Sequence, residues 1–133
     1  MTTRNTKSGY DVLKDEVLNK SSAFSREERD DLGLRGLLPY SVNTQNNQVK
    51  RVLANMRRKE TDIEKYIFLM ALQMRAEKLF YRLVTENFDE IMPIIYTPTV
   101  GQACKEFAHI FRMPKGFYIT PEDKGQIDKI LDN

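Results

Sequence analysis

The fold is decided by residues 62–87, DIEKYIFLMALQMRAEKLFYRLVTEN, which contain neither glycine nor proline. At its start, Thr61 and Glu64 have the spacing of a capping box, in which each side chain bonds a backbone amide of the first turn. Apolar residues occupy most of the circumference of such a helix, so neighbouring elements must cover it on several sides. The stretch predicts one long central helix in an all-α, compact helical bundle with short irregular connections.

Toward the N-terminus, Ser25 and Glu28 repeat the capping-box spacing and predict a second helix start. This helix carries an acidic first turn, which favours the start of a helix electrostatically. Gly33 or Gly36 follows as a terminator.

A further helix is predicted between these two, capped by Thr44 or Asn43 and running to about Arg58. Its apolar residues follow the spacing of three and four that gives one buried face. They are Val49, Val52, Leu53 and Met56.

On the C-terminal side, residues 88–92 predict a short helix that Pro93 stops, because proline disfavours helical backbone in the residue before it. Residues 94–95, both isoleucine, then indicate an extended stretch. Thr97 and Pro98 suit the N-cap and first position of a helix to about residue 112. Tyr96 is therefore expected just outside a helix start.

The last predicted helix opens at Thr120 and Pro121, the same pair of residue types, and runs to the end of the sequence. Glu122 and Asp123 fall in its first turn, where acidic side chains are expected for electrostatic reasons alone.

Composition excludes several classes of protein. The 133 residues carry 21 basic and 19 acidic side chains, a formal charge of +2, which is no signature of a nucleic-acid-binding protein. No apolar run approaches the roughly 20 residues that span a bilayer, and the first ten residues lack a hydrophobic signal region. The single cysteine, Cys104, excludes an internal disulfide. We expect a protein of the cytoplasm, or of the mitochondrial matrix, with a disordered leader over residues 1–8 and one domain over residues 9–133.

Three basic residues, Arg75, Lys78 and Arg82, share one stripe of the central helix. A solvated or salt-bridged face is the commoner reason for such a stripe, and an anion site is the alternative. Arg75 has apolar neighbours on both sides, which predicts partial burial and pairing. With Arg51 of the preceding helix it could bind a dicarboxylate.

His109 and Cys104 are weaker candidates. His109 is the only histidine and has no nucleophile or metal ligand near it in sequence, so a packing or surface role is expected. Cys104 shares an apolar helix face with Phe107 and Ala108, which predicts a buried, inert thiol.

Tyr96 lies in the segment YTPTVG, between an apolar pair and a predicted helix start. Backbone amides at such a start favour negative charge, so the place could bind an oxyanion and present a phenol as proton donor. A tyrosine that packs its ring at a turn is the commoner outcome.

Several blocks of this sequence resemble the N-terminal helical region of the malic enzymes, in the same order as in that family. The resemblance covers residues 9–133, and YTPTVG after MPI is its most specific part. The blocks are NKSSAFSREER (19–29), LGLRGLLP (32–39), KLFYRL (78–83), MPIIYTPTVGQAC (92–104) and FRMPKGFYI (111–119).

The resemblance implies an enzyme that oxidatively decarboxylates malate to pyruvate and carbon dioxide with NAD or NADP and a divalent Mg or Mn ion. It implies that Tyr96 is the general acid that protonates the enolpyruvate carbon. The family's lysine beside this tyrosine, its metal-binding carboxylates, its malate-binding arginine and its dinucleotide fold have no counterpart in these residues. The chain alone is therefore expected to bind no cofactor and to be catalytically incomplete.

The family's helical domain also supplies much of a subunit interface, which implies a homodimer. Some animal members bind fumarate there through two arginines that correspond to Arg51 and Arg75. The sequence departs from the family at three places. Asn43 stands where a glutamate accompanies the arginines, Ala76 where asparagine is frequent, and Ser21 where glycine is common.

Three hypotheses remain open at this point. The chain is a segment of a malic enzyme that contributes an interface and Tyr96. Alternatively it is a stand-alone interaction protein that binds a malic enzyme or itself. The third hypothesis is a small anion-binding module built on Arg51 and Arg75.

Overall fold

The computed structural model describes residues 7–132, and these residues form helices, turns and irregular connections without a strand. The all-α prediction is confirmed. In chain order the helices are α1 (Tyr10–Lys14), α2 (Arg26–Asp31), α3 (Gln45–Arg57), α4 (Asp62–Arg75), α5 (Glu77–Glu86), α6 (Phe88–Ile95), α7 (Thr99–Lys105), α8 (Phe107–Ile110) and α9 (Ile127–Leu131). Short 3-10 turns occur at Ser21–Ala23 and Pro121–Asp123.

The prediction of one continuous central helix is wrong. Helix α4 ends at Arg75 and α5 begins at Glu77, because Ala76 between them has φ −157° and ψ 73°. The backbone groups freed at the break are bonded by the N-terminal segment. Asn19 Nδ2 donates to the Arg75 carbonyl at 2.9 Å, and the Glu77 amide donates to the Glu16 carbonyl at 2.9 Å. These long-range hydrogen bonds stabilise an interruption that the local pattern does not reveal.

The predicted helix starts are confirmed where side chains cap the backbone. Complete capping boxes form between Ser25 and Glu28 at α2 and between Thr61 and Glu64 at α4. Thr44 caps α3 by accepting from the Asn47 amide at 3.2 Å. These motifs depend only on residues three apart, so sequence reasoning finds them reliably.

Three C-terminal predictions are wrong. Residues 94–95 are helical rather than extended, because α6 continues through Pro93 and buries Ile91 and Ile94 in the core. The helix predicted from Thr97 begins instead at Thr99 and is interrupted at Glu106 before α8.

The third wrong prediction concerns the last helix. The Thr120–Asp123 box opens only a 3-10 turn. Gly125, with φ +83°, then separates this turn from α9. A left-handed glycine interrupts a helix, so the two elements cannot be continuous.

The main core lies between α3, α4, α5 and α6, and a smaller cluster packs the N-terminal part around Phe24. The main cluster comprises Val49, Val52, Met56, Leu69, Leu72, Ala76, Leu79, Phe80, Leu83, Ile91 and Ile94. The smaller one comprises Val12, Phe24 and Leu34. The leader predicted over residues 1–8 lies outside the described residues except for Lys7, whose ammonium donates to Asp15 at 2.7 Å, and Ser8.

Candidate functional site

Tyr96 lies at the junction of α6 and α7, as the sequence predicts, and its side chain is 64% exposed. Its backbone is held on both sides. The amide donates to the Met92 carbonyl at 2.9 Å, and the carbonyl accepts from the Val100 amide at 2.8 Å. The main chain is thus fixed while the phenol remains open to solvent.

Thr99 closes the turn that carries Tyr96. Its side chain is buried, and its hydroxyl donates to the Pro93 carbonyl at 2.8 Å. The amides expected to bind an oxyanion are already engaged, because Val100 donates to Tyr96 and Gly101 donates to Pro98 at 3.1 Å. The turn therefore presents a phenol, and these two amides are not free to bind an anion.

Arg51 and Arg75 line one cavity of about 250 Å³, where the N-terminal segment meets α3 and the break between α4 and α5. Asn19, Gln48 and Asn55 contribute amide groups to the same cavity. The expectation that Arg75 is partly buried and paired is wrong, since the side chain is exposed and makes no ion pair within residues 7–132. Both guanidinium groups can therefore reach a ligand.

Two of the three residues that depart from the family pattern lie at this cavity, and the third does not. Ser21 and Ala76 line this cavity, whereas Asn43 does not. Ser21 has φ +51° and is, among residues 7–132, the only non-glycine residue with positive φ.

Arg82 is bound within the fold. Its guanidinium donates to Glu86 at 2.7 Å and to Gln45 at 3.1 Å, and it also donates to Asn46. It therefore connects α5 with the start of α3. The salt-bridged interpretation of the basic stripe is confirmed at this residue, and Lys78 is exposed.

The remaining sequence candidates are at the surface. His109 is exposed, in agreement with a surface role. Cys104 is exposed as well, so the prediction of a buried thiol is wrong. Asp123 accepts from the Thr120 amide at 2.7 Å, and this bond lowers the pKa of its carboxyl, as expected for a capping residue.

One feature was missed by sequence reasoning. An apolar groove of about 200 Å³ runs beside α4, lined among others by Tyr66, Met70, Cys104, Phe107 and Tyr118. Burial raises the pKa of the Tyr66 phenol. The signal that could have indicated this groove is the high density of aromatic residues between positions 107 and 118, since Phe107, Phe111 and Tyr118 line it together with residues of α4.

Two familiar signatures of cofactor sites are lacking in residues 7–132. Within residues 7–132 no group of three or more His, Cys, Asp or Glu side chains could hold a metal. These residues also contain no GxGxxG turn of the kind that binds a pyrophosphate. None of the helices in this range is long and apolar enough to cross a lipid bilayer.

Comparison with known proteins shows a similarity to the malic enzymes. The model of the malic enzyme N-terminal domain matches residues 73–133, which include α5 to α9 and the Tyr96 turn. A chloroplastic NADP-dependent malic enzyme of Oryza sativa subsp. japonica is 46% identical over 126 residues, 95% of this chain. This chain is similar to malic enzymes over almost its whole length.

Other malic enzymes match over almost the same range. The NADP-dependent malic enzyme of Columba livia is 47% identical over 127 residues, 96% of this chain and 23% of that protein. A mitochondrial NADP-dependent malic enzyme of Homo sapiens is 46% identical over 96% of this chain and 21% of that protein. The Oryza sativa enzyme is covered to 20%, so the chain spans about a fifth of the length of these malic enzymes.

Proposed function

We propose that the protein to which this chain belongs oxidatively decarboxylates malate to pyruvate and carbon dioxide with NADP and a divalent Mg or Mn ion. The identity of about 46% to proteins named NADP-dependent malic enzymes carries this proposal and favours NADP over NAD. Residues 9–133 form its N-terminal helical domain. The metal-binding and coenzyme-binding groups are contributed by other parts of the protein.

In this proposal Tyr96 is the general acid. After decarboxylation its hydroxyl gives a proton to the methylene carbon of enolpyruvate, which becomes the methyl group of pyruvate. The support is geometric, because the phenol is 64% exposed on a turn whose backbone is bonded at both ends. Because the backbone is already fixed, less conformational entropy is lost when the proton donor is aligned with the reacting carbon.

The test of this role is Tyr96→Phe in the full-length protein, with Tyr10→Phe as the matched control. Tyr10 is also 64% exposed and lies on α1. We expect Tyr96→Phe to lower kcat by about 10²-fold or more, the usual contribution of a general acid. It should also abolish proton exchange at the pyruvate methyl group in D₂O. Unchanged exchange in Tyr96→Phe would refute the role.

We further propose that the helical domain forms a homodimer. Tyr81 and Phe88 are 53% and 55% exposed on adjoining helices, and exposed aromatic residues of this kind are typical of interfaces. Tyr66 on α4 is half-buried. Sedimentation of Tyr81→Lys/Phe88→Lys beside the unmodified chain tests the proposal, with a shift toward monomer expected.

A second binding site is favoured by the shared cavity of Arg51 and Arg75. We propose that a small dicarboxylate such as fumarate binds there between the two guanidinium groups, although Asn43 replaces an acidic residue of the family. Calorimetry with fumarate tests it. The Arg51→Gln/Arg75→Gln variant should bind none, and absence of heat with the unmodified chain at millimolar fumarate would reject the site.

The cellular compartment is also a proposal. The composition favours the cytoplasm, and the mitochondrial matrix is the alternative. The names of the relatives include chloroplastic and mitochondrial enzymes. Fractionation of cells that express the full-length protein decides between these compartments.

A further inference from the structure

We propose a second anion site, for a phosphate group, in the cavity lined by Arg26, Arg29, Arg35 and Tyr40. The cavity has a volume of about 290 Å³ and lies between α2 and the loop that follows it. It shares no lining residue with the Arg51–Arg75 cavity. The inference does not depend on the proposed malic enzyme activity.

The first observation is the buried charge of Arg29, whose residue is only 6% exposed. Its guanidinium donates only to backbone carbonyls, and none of its bonds within residues 7–132 is to a carboxylate. The acceptors are Phe24 at 3.0 Å, Pro39 at 2.7 Å, Tyr40 at 3.3 Å, Ser22 at 3.1 Å and Ser41 at 3.3 Å. The donors are satisfied, but no carboxylate of the described part of the chain forms an ion pair with this charge. A buried cation in this state favours an anion nearby.

The second observation is that two further arginines face the same cavity with donors to spare. Arg26 donates one hydrogen bond to the Tyr40 hydroxyl at 2.9 Å, and its guanidinium carbon lies 4.7 Å from the centre of that ring. Arg35 binds Asp30 through Nε and, at 2.7 Å, through Nη2. For both residues, Nη1 donates no hydrogen bond to any atom of residues 7–132.

The charges around the cavity are strongly unequal. None of the residues that line it has a carboxylate, and Asp30, which is not among them, forms an ion pair with Arg35. Arg29 supplies positive potential, whereas Arg26 and Arg35 supply the N–H groups. A tetrahedral oxyanion with two negative charges satisfies both requirements, because guanidinium groups bind phosphate oxygens in a fixed fork geometry.

Inorganic phosphate and the phosphate group of a small monoester share this chemistry. The exposed ring of Tyr40, held against Arg26, offers an apolar face to an organic group next to the phosphate. Phenyl phosphate is therefore the probe for a monoester. Tighter binding than that of inorganic phosphate indicates a monoester ligand, whereas equal binding indicates phosphate alone.

The experiment is a titration of the 133-residue chain with sodium phosphate at constant ionic strength, followed by the amide NMR signals of Gly36 and Tyr40. We expect saturable shifts that sodium chloride does not produce. Arg26→Gln and Arg35→Gln should each weaken binding about tenfold, the scale of one charge-assisted hydrogen bond. Both side chains are exposed, so these variants should keep the fold, which the remaining NMR signals verify.

Two controls make the result specific. Arg58→Gln removes an exposed arginine outside the cavity and should change the affinity less than twofold. Arg51→Gln/Arg75→Gln should leave these shifts unchanged. Equal responses to phosphate and chloride, or full affinity in both Arg26→Gln and Arg35→Gln, would overturn the proposal.

Discussion

The hydroxyl of Thr99 donates a 2.8 Å hydrogen bond to the backbone carbonyl of Pro93, across the turn that contains Tyr96. Carbonyls in the last turn of a helix have no amide partner within that helix, and Pro93 lies in the last turn of α6. The bond therefore satisfies a polar group and ties the end of α6 to the start of α7. It stabilises the position of the candidate general acid.

Replacement of Thr99 by valine should lower the free energy of unfolding by about 1–2 kcal/mol, because the shape is kept but the Pro93 carbonyl loses its partner. Thr99→Ser keeps the hydroxyl and is the control, although it also loses a buried methyl group. Urea unfolding measures both variants. If Thr99→Val were as stable as the unmodified chain, the bond would contribute nothing to the turn.

Ser21→Gly should stabilise the chain by about 1 kcal/mol, because a side chain at φ +51° is strained and glycine is not. Ser41→Gly is the control at an exposed position without positive φ. There glycine only increases the freedom of the unfolded chain and should cost about 0.5–1 kcal/mol. Thermal unfolding of the two variants should give shifts of opposite sign. A lower melting temperature for Ser21→Gly would contradict this account.

Acid should destabilise the chain through Glu28. Hydrogen bonds from the Lys20 ammonium and the Ser25 amide hold the pKa of this carboxyl below its ordinary value of 4.5. Since the pKa is lowered by folding, the stabilisation is complete above pH 4.5 and is lost as the pH falls through the folded-state pKa.

Urea unfolding between pH 6 and pH 3 measures this loss. The free energy of unfolding of Glu28→Gln should decline less steeply with falling pH than that of the unmodified chain. Glu27→Gln is the control, because it removes one negative charge from the same helical turn without removing a hydrogen bond among residues 7–132. Identical slopes for all three proteins would show that the cap does not couple folding to pH.

The success of sequence reasoning depended on distance along the chain. The caps at Ser25 and Thr61 involve residues three apart and were predicted correctly. The break at Ala76 depends on a hydrogen bond donated by Asn19 and on one accepted by the Glu16 carbonyl, nearly sixty residues away, and was missed. The local pattern also did not reveal that burial of Ile94 outweighs the helix-stopping effect of Pro93.

In the candidate site, too, features set by neighbouring residues were predicted and features set by tertiary packing were not. The position of Tyr96 outside a helix start follows from local signals, whereas the proton-donor role that we propose for it rests on resemblance to a family. The sequence indicated that Arg51 and Arg75 could act as a pair, and both line one cavity. It did not indicate that Arg75 is exposed, because the burial of a side chain depends on which elements cover its helix. The burial predicted for Cys104 was wrong for the same reason, since the thiol is exposed.

The central proposal is that this chain is the N-terminal part of an NADP-dependent malic enzyme whose other active-site groups lie elsewhere in the protein. The most direct measurement is the rate of malate-dependent NADP reduction with Mn²⁺ present, for the full-length protein and for the purified 133-residue chain. The account predicts turnover by the full-length protein and none by the chain alone. Turnover by the isolated chain, or none by the full-length protein, would contradict it.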